Sequence, residues 1–181
     1  MKRVLILYGW HGSDAPHWQD WLAKSLLKRG YQVSFPQLSD NLRPEKSLWL
    51  QEAKKAFDVI RPDIVIAHSM GNTLWFHLCN EGMVTPVSNL VLVAPPRDLS
   101  EINDIKSFFP CKRPSDLFAK ESIMICSDDD PYISVDESKE LSKQLGCRLK
   151  LIEKAGHINS DSGFGPWPWM LEYILSLGEN Q

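Results

Sequence analysis

Three short segments carry side chains that together could do nucleophilic chemistry. The first is Ala67-His68-Ser69-Met70-Gly71, which follows an apolar run and precedes a helical pattern. It has the form small-x-Ser-x-Gly of a nucleophile elbow, a turn so tight that its flanking positions must be small. Such a turn holds the serine Oγ above a sheet, and the helix N-terminus beneath it favours developing negative charge. Ala67 departs from the usual first glycine by one methyl group. A serine between a strand and a helix also serves simply as a cap. The second segment, Ser127-Asp128-Asp129-Asp130-Pro131-Tyr132, places three carboxylates at another strand end. Such a cluster binds metal, orients a histidine or caps a turn. The third, Ala155-Gly156-His157-Ile158-Asn159, supplies a histidine after a later strand. Serine, then aspartate, then histidine is the chain order of one class of hydrolytic triad, and three independent placements agree on it. A fourth loop, Tyr8-Gly9-Trp10-His11-Gly12, lies where a second oxyanion donor belongs, which makes Trp10 N–H and Met70 N–H the natural pair.

These segments need a scaffold that brings them to one edge. Six short apolar runs are read as strands: Val4–Tyr8, Tyr31–Phe35, Ile64–Ala67, Leu90–Ala94, Ile123–Cys126 and Leu149–Ile152. Several are continuous and β-branched, as in strands buried on both faces. Helical periodicity lies between them. Trp18, Trp21, Leu22 and Leu26 share a face that Gly30 closes, and Trp49, Ala53, Ala56, Phe57 and Ile60 share another, with Ser47 as the expected cap. Ser134 and Glu137 form a capping box, Gly146 ends that helix, and Trp167, Met170, Leu171 and Ile174 mark a last one. The alternation predicts an α/β fold: a mostly parallel sheet of about six strands with helices on both faces. Ligands in such sheets bind beyond the carboxyl ends of the strands, where all four loops lie. Residues 95–121, with four prolines and no clear period, are expected to form a short irregular cap segment and no large lid.

Length and composition agree with this scaffold. A chain of 181 residues, 43% hydrophobic and 24% charged, is expected to form one domain over 1–181 without needing disulfides. A net charge of −3 with no basic run disfavours nucleic acid as a partner. No apolar stretch is long enough to span a membrane, and the N-terminal run is too short for a signal peptide. Cys79, Cys111, Cys126 and Cys147 are scattered, which favours a reducing cytoplasm over a disulfide framework or zinc site. His11 and His17 are not spaced as a metal pair, and no H-E-x-x-H occurs, so neither metal nor cofactor is expected.

The chain resembles the small serine hydrolases of the retinoblastoma-binding protein 9 / YdeN family, within the α/β-hydrolase superfamily. The resemblance runs along nearly the whole chain. It is carried by Gly9-Trp10-His11-Gly12 with His17-Trp18-Gln19-Asp20-Trp21-Leu22, by the elbow, by Ser127–Tyr132, and by Gly156–Asn159 running on to Ser162-Gly163-Phe164-Gly165-Pro166-Trp167-Pro168. It implies a triad of Ser69, Asp130 and His157, no cofactor and no large lid. Asp130 also stands immediately before Pro131, which biases its backbone toward an extended shape and so fixes the direction of its carboxylate. No L-x-C-x-E sequence occurs, so a retinoblastoma-type protein partner is not carried over.

The expected function is hydrolysis of a small ester, thioester or activated amide through an acyl-enzyme on Ser69. His157 acts as base, Asp130 orients it, and Trp10 and Met70 amides bind the oxyanion. The competing reading is a binding module for a peptide or small ligand, with a vestigial triad. A nucleotide-binding reading is weak, because Trp10 and His11 are bulky where a phosphate cradle needs bare backbone. Trp10, His11, Phe108, Phe109 and Trp167, together with Phe118, are expected to crowd the mouth of the substrate pocket.

Overall fold

A computed structural model describes residues 2–179. Of the expected 1–181 span, Met1, Asn180 and Gln181 therefore lie outside the described residues. Six strands form one sheet: β1 (Arg3–Leu7), β2 (Gln32–Ser34), β3 (Ile64–His68), β4 (Val87–Val93), β5 (Ala119–Ser127) and β6 (Arg148–Ile152). Their order is β2-β1-β3-β4-β5-β6, and every pairing is parallel. Five helices connect or follow them: α1 (Trp18–Leu27), α2 (Lys46–Ile60), α3 (Met70–Asn80), α4 (Val135–Leu145) and α5 (Pro168–Glu179). Among the described residues no helix is long and apolar enough to cross a membrane.

Alternation along the central strands divides the interior into two layers. Leu5, Leu7, Val65, Ala67, Leu90, Leu92, Met124 and Cys126 face α2, α3 and α4. Val4, Ile6, Ile64, Ile66, Val91, Val93, Ile123 and Ile125 face α1 and α5. The chain reverses its winding between β1 and β3, and β3, which leads into Ser69, is buried along its whole length. The sheet edges are short or charged, with three residues in β2 and Arg148 and Lys150 in β6, which discourages further strand pairing.

Several boundaries differ from those read in the sequence. Strands β4 and β5 begin earlier, because Val87–Leu90 pair with Ala119–Ser122 through a stretch whose side chains include Ser88, Asn89, Lys120 and Glu121. The irregular segment accordingly stops at Phe118, and its one regular feature is the 3₁₀ turn Asn103–Phe108, so no large lid forms. Helix α2 starts one residue ahead of Ser47. Glu45 is its cap and accepts the Ser47 N–H at 3.3 Å. The capping box at Ser134 and Glu137 is formed, and Gly146 closes α4 in the left-handed conformation. Helix α5 begins at Pro168, whose fixed φ suits a first helical residue, so Trp167 precedes the helix.

Candidate active site

The elbow sits where β3 ends. Ser69 has φ 53° and ψ −125°, a strained conformation for a residue with a side chain, and α3 begins at Met70. Neighbouring groups hold the strain in place. Ser69 N–H donates to Val93 O at 3.0 Å. The Asn72 side-chain amide donates to Ser69 O at 2.9 Å and to Val93 O at 2.8 Å, stapling the elbow to the end of β4. Asn72 is fully buried and was not singled out from the sequence, although a polar residue in an otherwise apolar stretch of helix was a visible signal. Two glycines admit the close approach. A Cβ on Gly71 would lie 2.4 Å from Leu7 O, and one on Gly9 would lie 2.7 Å from Ser69 Cβ. The extra methyl of Ala67 costs nothing here, because it points into the packed layer facing α2 and α3.

A continuous chain of hydrogen bonds leads from the serine into the protein. His157 Nε2 lies 2.8 Å from Ser69 Oγ. Its Nδ1 lies 3.0 and 2.9 Å from the two carboxylate oxygens of Asp130, whose side chain is fully buried. A carboxylate only accepts, so Nδ1 carries the proton of the neutral ring and Nε2 is left to accept from the serine. Asp130 also accepts the Tyr132 N–H at 2.9 Å, and the Tyr132 ring packs edge-on against His157.

The other two carboxylates build the loop that presents the histidine. Asp128 accepts Lys154 N–H at 2.7 Å. Asp129 accepts Gly156 N–H at 2.7 Å and the Ser127 hydroxyl at 2.6 Å, while Ser127 Oγ accepts Ala155 N–H at 2.9 Å. The Ser127 hydroxyl and the Gly156 amide together hold the Asp129 carboxyl below the usual carboxylate range. The three readings left open for the cluster thus resolve into two jobs, with Asp130 facing the imidazole and its neighbours tying β5 to the loop after β6. Among the described residues no three His, Cys, Asp or Glu side chains gather to hold a metal ion.

The serine opens into a cavity of about 350 Å³. Trp10, His11 and Met70 line it, as do Leu99, Ile105 and Tyr132 on an apolar side and Asn159, Ser160 and Asp161 on a polar one. Trp10 N–H has no hydrogen-bond acceptor among the described residues. Met70 N–H, at the first helical position, has no intrahelical partner, and the Ser69 side chain does not cap it. Both amides are therefore free to donate. The expected aromatic mouth is formed only in part, by Trp10 and His11. Phe108 is fully buried, edge-on to Trp49, and its carbonyl accepts from His77 Nε2 at 2.8 Å. Phe109 and Phe118 are half-buried against the same packed layer. Trp167 lies in the opposite layer, edge-on to Trp18 and Phe164. The cap segment reaches the pocket instead through Leu99 and Ile105, because the 3₁₀ turn sends its phenylalanine inward to fill the core. Two further histidines, His17 and His68, also line the cavity beside His157. Burial, reinforced by nearby His157, pushes His17 down to about 4 and His68 well below the ordinary value.

The profile of the family described as "Serine hydrolase" matches residues 4–176. The chain belongs to the serine hydrolase family. The chain is 26% identical over 183 residues to YdeN of Bacillus subtilis strain 168, covering 97% of this chain and 95% of that protein. The crystal structure of the Bacillus subtilis ydeN product superposes with a TM-score of 0.86 at 24% identity, covering 99% of this chain and all of the other. Est1E of Butyrivibrio proteoclasticus, solved with ferulic acid bound, gives 0.68 at 13% identity over 98% and 89% of the two chains. A hydrolase of the α/β superfamily from Xanthomonas campestris gives 0.69 at 16% identity over 97% and 99%. The six-stranded parallel sheet of this chain is thus an α/β-hydrolase-like fold.

Proposed function

We propose that this chain hydrolyses a small ester, thioester or activated amide through an acyl-enzyme on Ser69. The observation that carries the reading is the unbroken line from Ser69 Oγ through His157 to the buried Asp130 carboxylate. Oγ attacks the carbonyl carbon as His157 Nε2 takes its proton. Asp130 holds the ring in the Nδ1–H tautomer and stabilises the imidazolium that results. The carbonyl oxygen becomes an oxyanion, and the unpaired Trp10 and Met70 amides are its donors. His157 then returns the proton to the leaving group. Water repeats the cycle on the acyl-enzyme and regenerates the serine.

The substrate class is a compact acyl compound, in keeping with a cavity of about 350 Å³ lined in part by Leu99 and Ile105. The likeness to retinoblastoma-binding protein 9 rests on the motifs alone and brings no protein partner with it. Four free cysteines suit a reducing, cytoplasmic setting. The deciding experiment is covalent labelling with a fluorophosphonate, followed by mapping of the modified residue. Wild type is expected to label at Ser69, and Ser69→Ala is expected to remain folded and unlabelled. A folded wild-type protein that neither labels nor hydrolyses p-nitrophenyl acetate would favour a binding module with a vestigial triad.

A further inference from the structure

The residue just before the nucleophile touches the base. His68 is buried, and its Nε2 lies 3.0 Å from the backbone carbonyl of His157. A carbonyl only accepts, so Nε2 is the donor. Burial keeps the ring neutral, with His157 and His17 pushing the same way. A neutral imidazole has one proton, and here the carbonyl uses it. His68 is therefore no proton carrier for the reaction.

The carbonyl it holds belongs to a strained peptide. Ile158, the next residue, has φ 50° although it is β-branched and fully buried. Its N–H donates to Ala155 O at 3.0 Å, and its own carbonyl accepts from Trp18 Nε1 at 2.8 Å. The Trp18 ring in turn packs edge-on against His68. The 157–158 peptide is thus gripped at both ends, and His68 supplies the grip on the carbonyl side. Without it the peptide is held only through Ile158 N–H, its carbonyl can tilt and let Ile158 relax, and the His157 side chain shifts with its backbone.

We propose that His68 is a positioning residue for the base: its Nε2–H clamps the strained 157–158 peptide and so holds the His157 imidazole between Ser69 and Asp130. This rests on the reading of those three residues as the hydrolytic centre. It also links the two halves of that centre directly, since the clamp joins the neighbour of the nucleophile to the backbone of the base.

Three substitutions separate positioning from packing. His68→Gln carries an amide N–H where Nε2 lies. His68→Phe fills the ring volume with no donor, and His68→Asn carries an amide that stops short. Rates with p-nitrophenyl acetate are to be compared at equal folded fraction. His68→Gln is expected to keep kcat within about threefold of wild type. His68→Phe is expected to lose about tenfold to a hundredfold in kcat with KM little changed, the scale of a misplacement near 1 Å. The low-field proton resonance of His157 Nδ1–H is expected to persist in wild type and His68→Gln and to broaden or vanish in His68→Phe. Where His68→Phe does not fold, His68→Asn takes its place with the same expected loss. If a donor-free or short variant matches His68→Gln in both kcat and the resonance, His68 is core filling and the proposal fails. Fluorophosphonate labelling of wild type tests the underlying reading separately. Should that fail, the resonance comparison still decides whether His68 positions the ring.

Discussion

Replacing Gly9 by alanine should damage the reaction far more than the fold. The added Cβ would stand 2.7 Å from Ser69 Cβ, 3.0 Å from its Oγ and 3.1 Å from Met70 N. Carbon atoms in contact rest about 3.5–4.0 Å apart, so the β1–α1 loop must withdraw by roughly 1 Å. Trp10 is the next residue, and its amide withdraws with the loop. Loss of one well-placed oxyanion donor costs about 10²–10³ in kcat, and a displacement near 1 Å costs about 10². The expected result is a fall of about 10² in kcat, with thermal unfolding close to wild type, because Gly9 lies in a loop beyond the end of β1. Gly71→Ala is the contrasting control. Its Cβ would lie 2.4 Å from the Leu7 carbonyl oxygen inside the sheet, so it should lower stability as well as activity. The assay is kcat for p-nitrophenyl acetate together with a thermal melt. A Gly9→Ala protein within about threefold of wild-type kcat would falsify the argument that this loop supplies the donor.

Asp130→Asn is expected to lose about 10⁴ in kcat, as for other triad aspartates, while Asp128→Asn and Asp129→Asn lose less because they act through the loop; the reverse ranking would move the triad acid elsewhere. Stability should fall between pH 6.5 and 4. The depressed His17 means the unfolded chain binds a proton there that the folded one refuses, so the stabilisation is complete above 6.5 and is lost as pH drops toward 4. A change from 6.5 to about 4 corresponds to about 3 kcal/mol, to be read from urea midpoints, and His17→Asn, which can still cap α1, should lessen the dependence without abolishing it, because buried His68 is depressed in the same sense. Burial pushes Cys79 and Cys126 up to about 12 and Cys111 and Cys147 up to about 11, so iodoacetamide at neutral pH should modify the thiols only after unfolding. Fast native alkylation of Cys111 would contradict its placement.

The sheet was legible because its central strands are continuous apolar runs, and Val65, Leu92 and Met124 lie where that pattern puts them. The ends of β4 and β5 were hidden, since Asn89 and Lys120 carry no apolar signal and are fixed only by pairing between distant segments. Ser69, Asp130 and His157 stood out because each follows a strand and each residue type is chemically distinctive. Their supports did not. Asn72 and His68 act through backbone carbonyls of residues far along the chain, and a carbonyl has no signature in sequence. Of the expected aromatic mouth, Trp10 and His11 line the cavity, and the rest missed it for a related reason. Large rings mark burial, but sequence does not tell which of two layers receives them, and Phe108 and Trp167 went to opposite ones.

The run from Ser127 to Asp130 has a consequence for how this molecule can diverge. Surface loops ordinarily absorb added or deleted residues at little cost. Here four consecutive side chains each meet a fixed partner: Ser127 holds Ala155, Asp128 holds Lys154, Asp129 holds Gly156 and Asp130 holds His157. A single inserted residue would put every later side chain out of phase with its partner, and the last of them is Asp130, the partner of His157. Length at this turn is therefore as constrained as residue type, although Asp128 and Asp129 are exposed. Variation in loop size among relatives should collect in other connections, such as the 94–118 segment, where the chain meets the pocket through only Leu99 and Ile105.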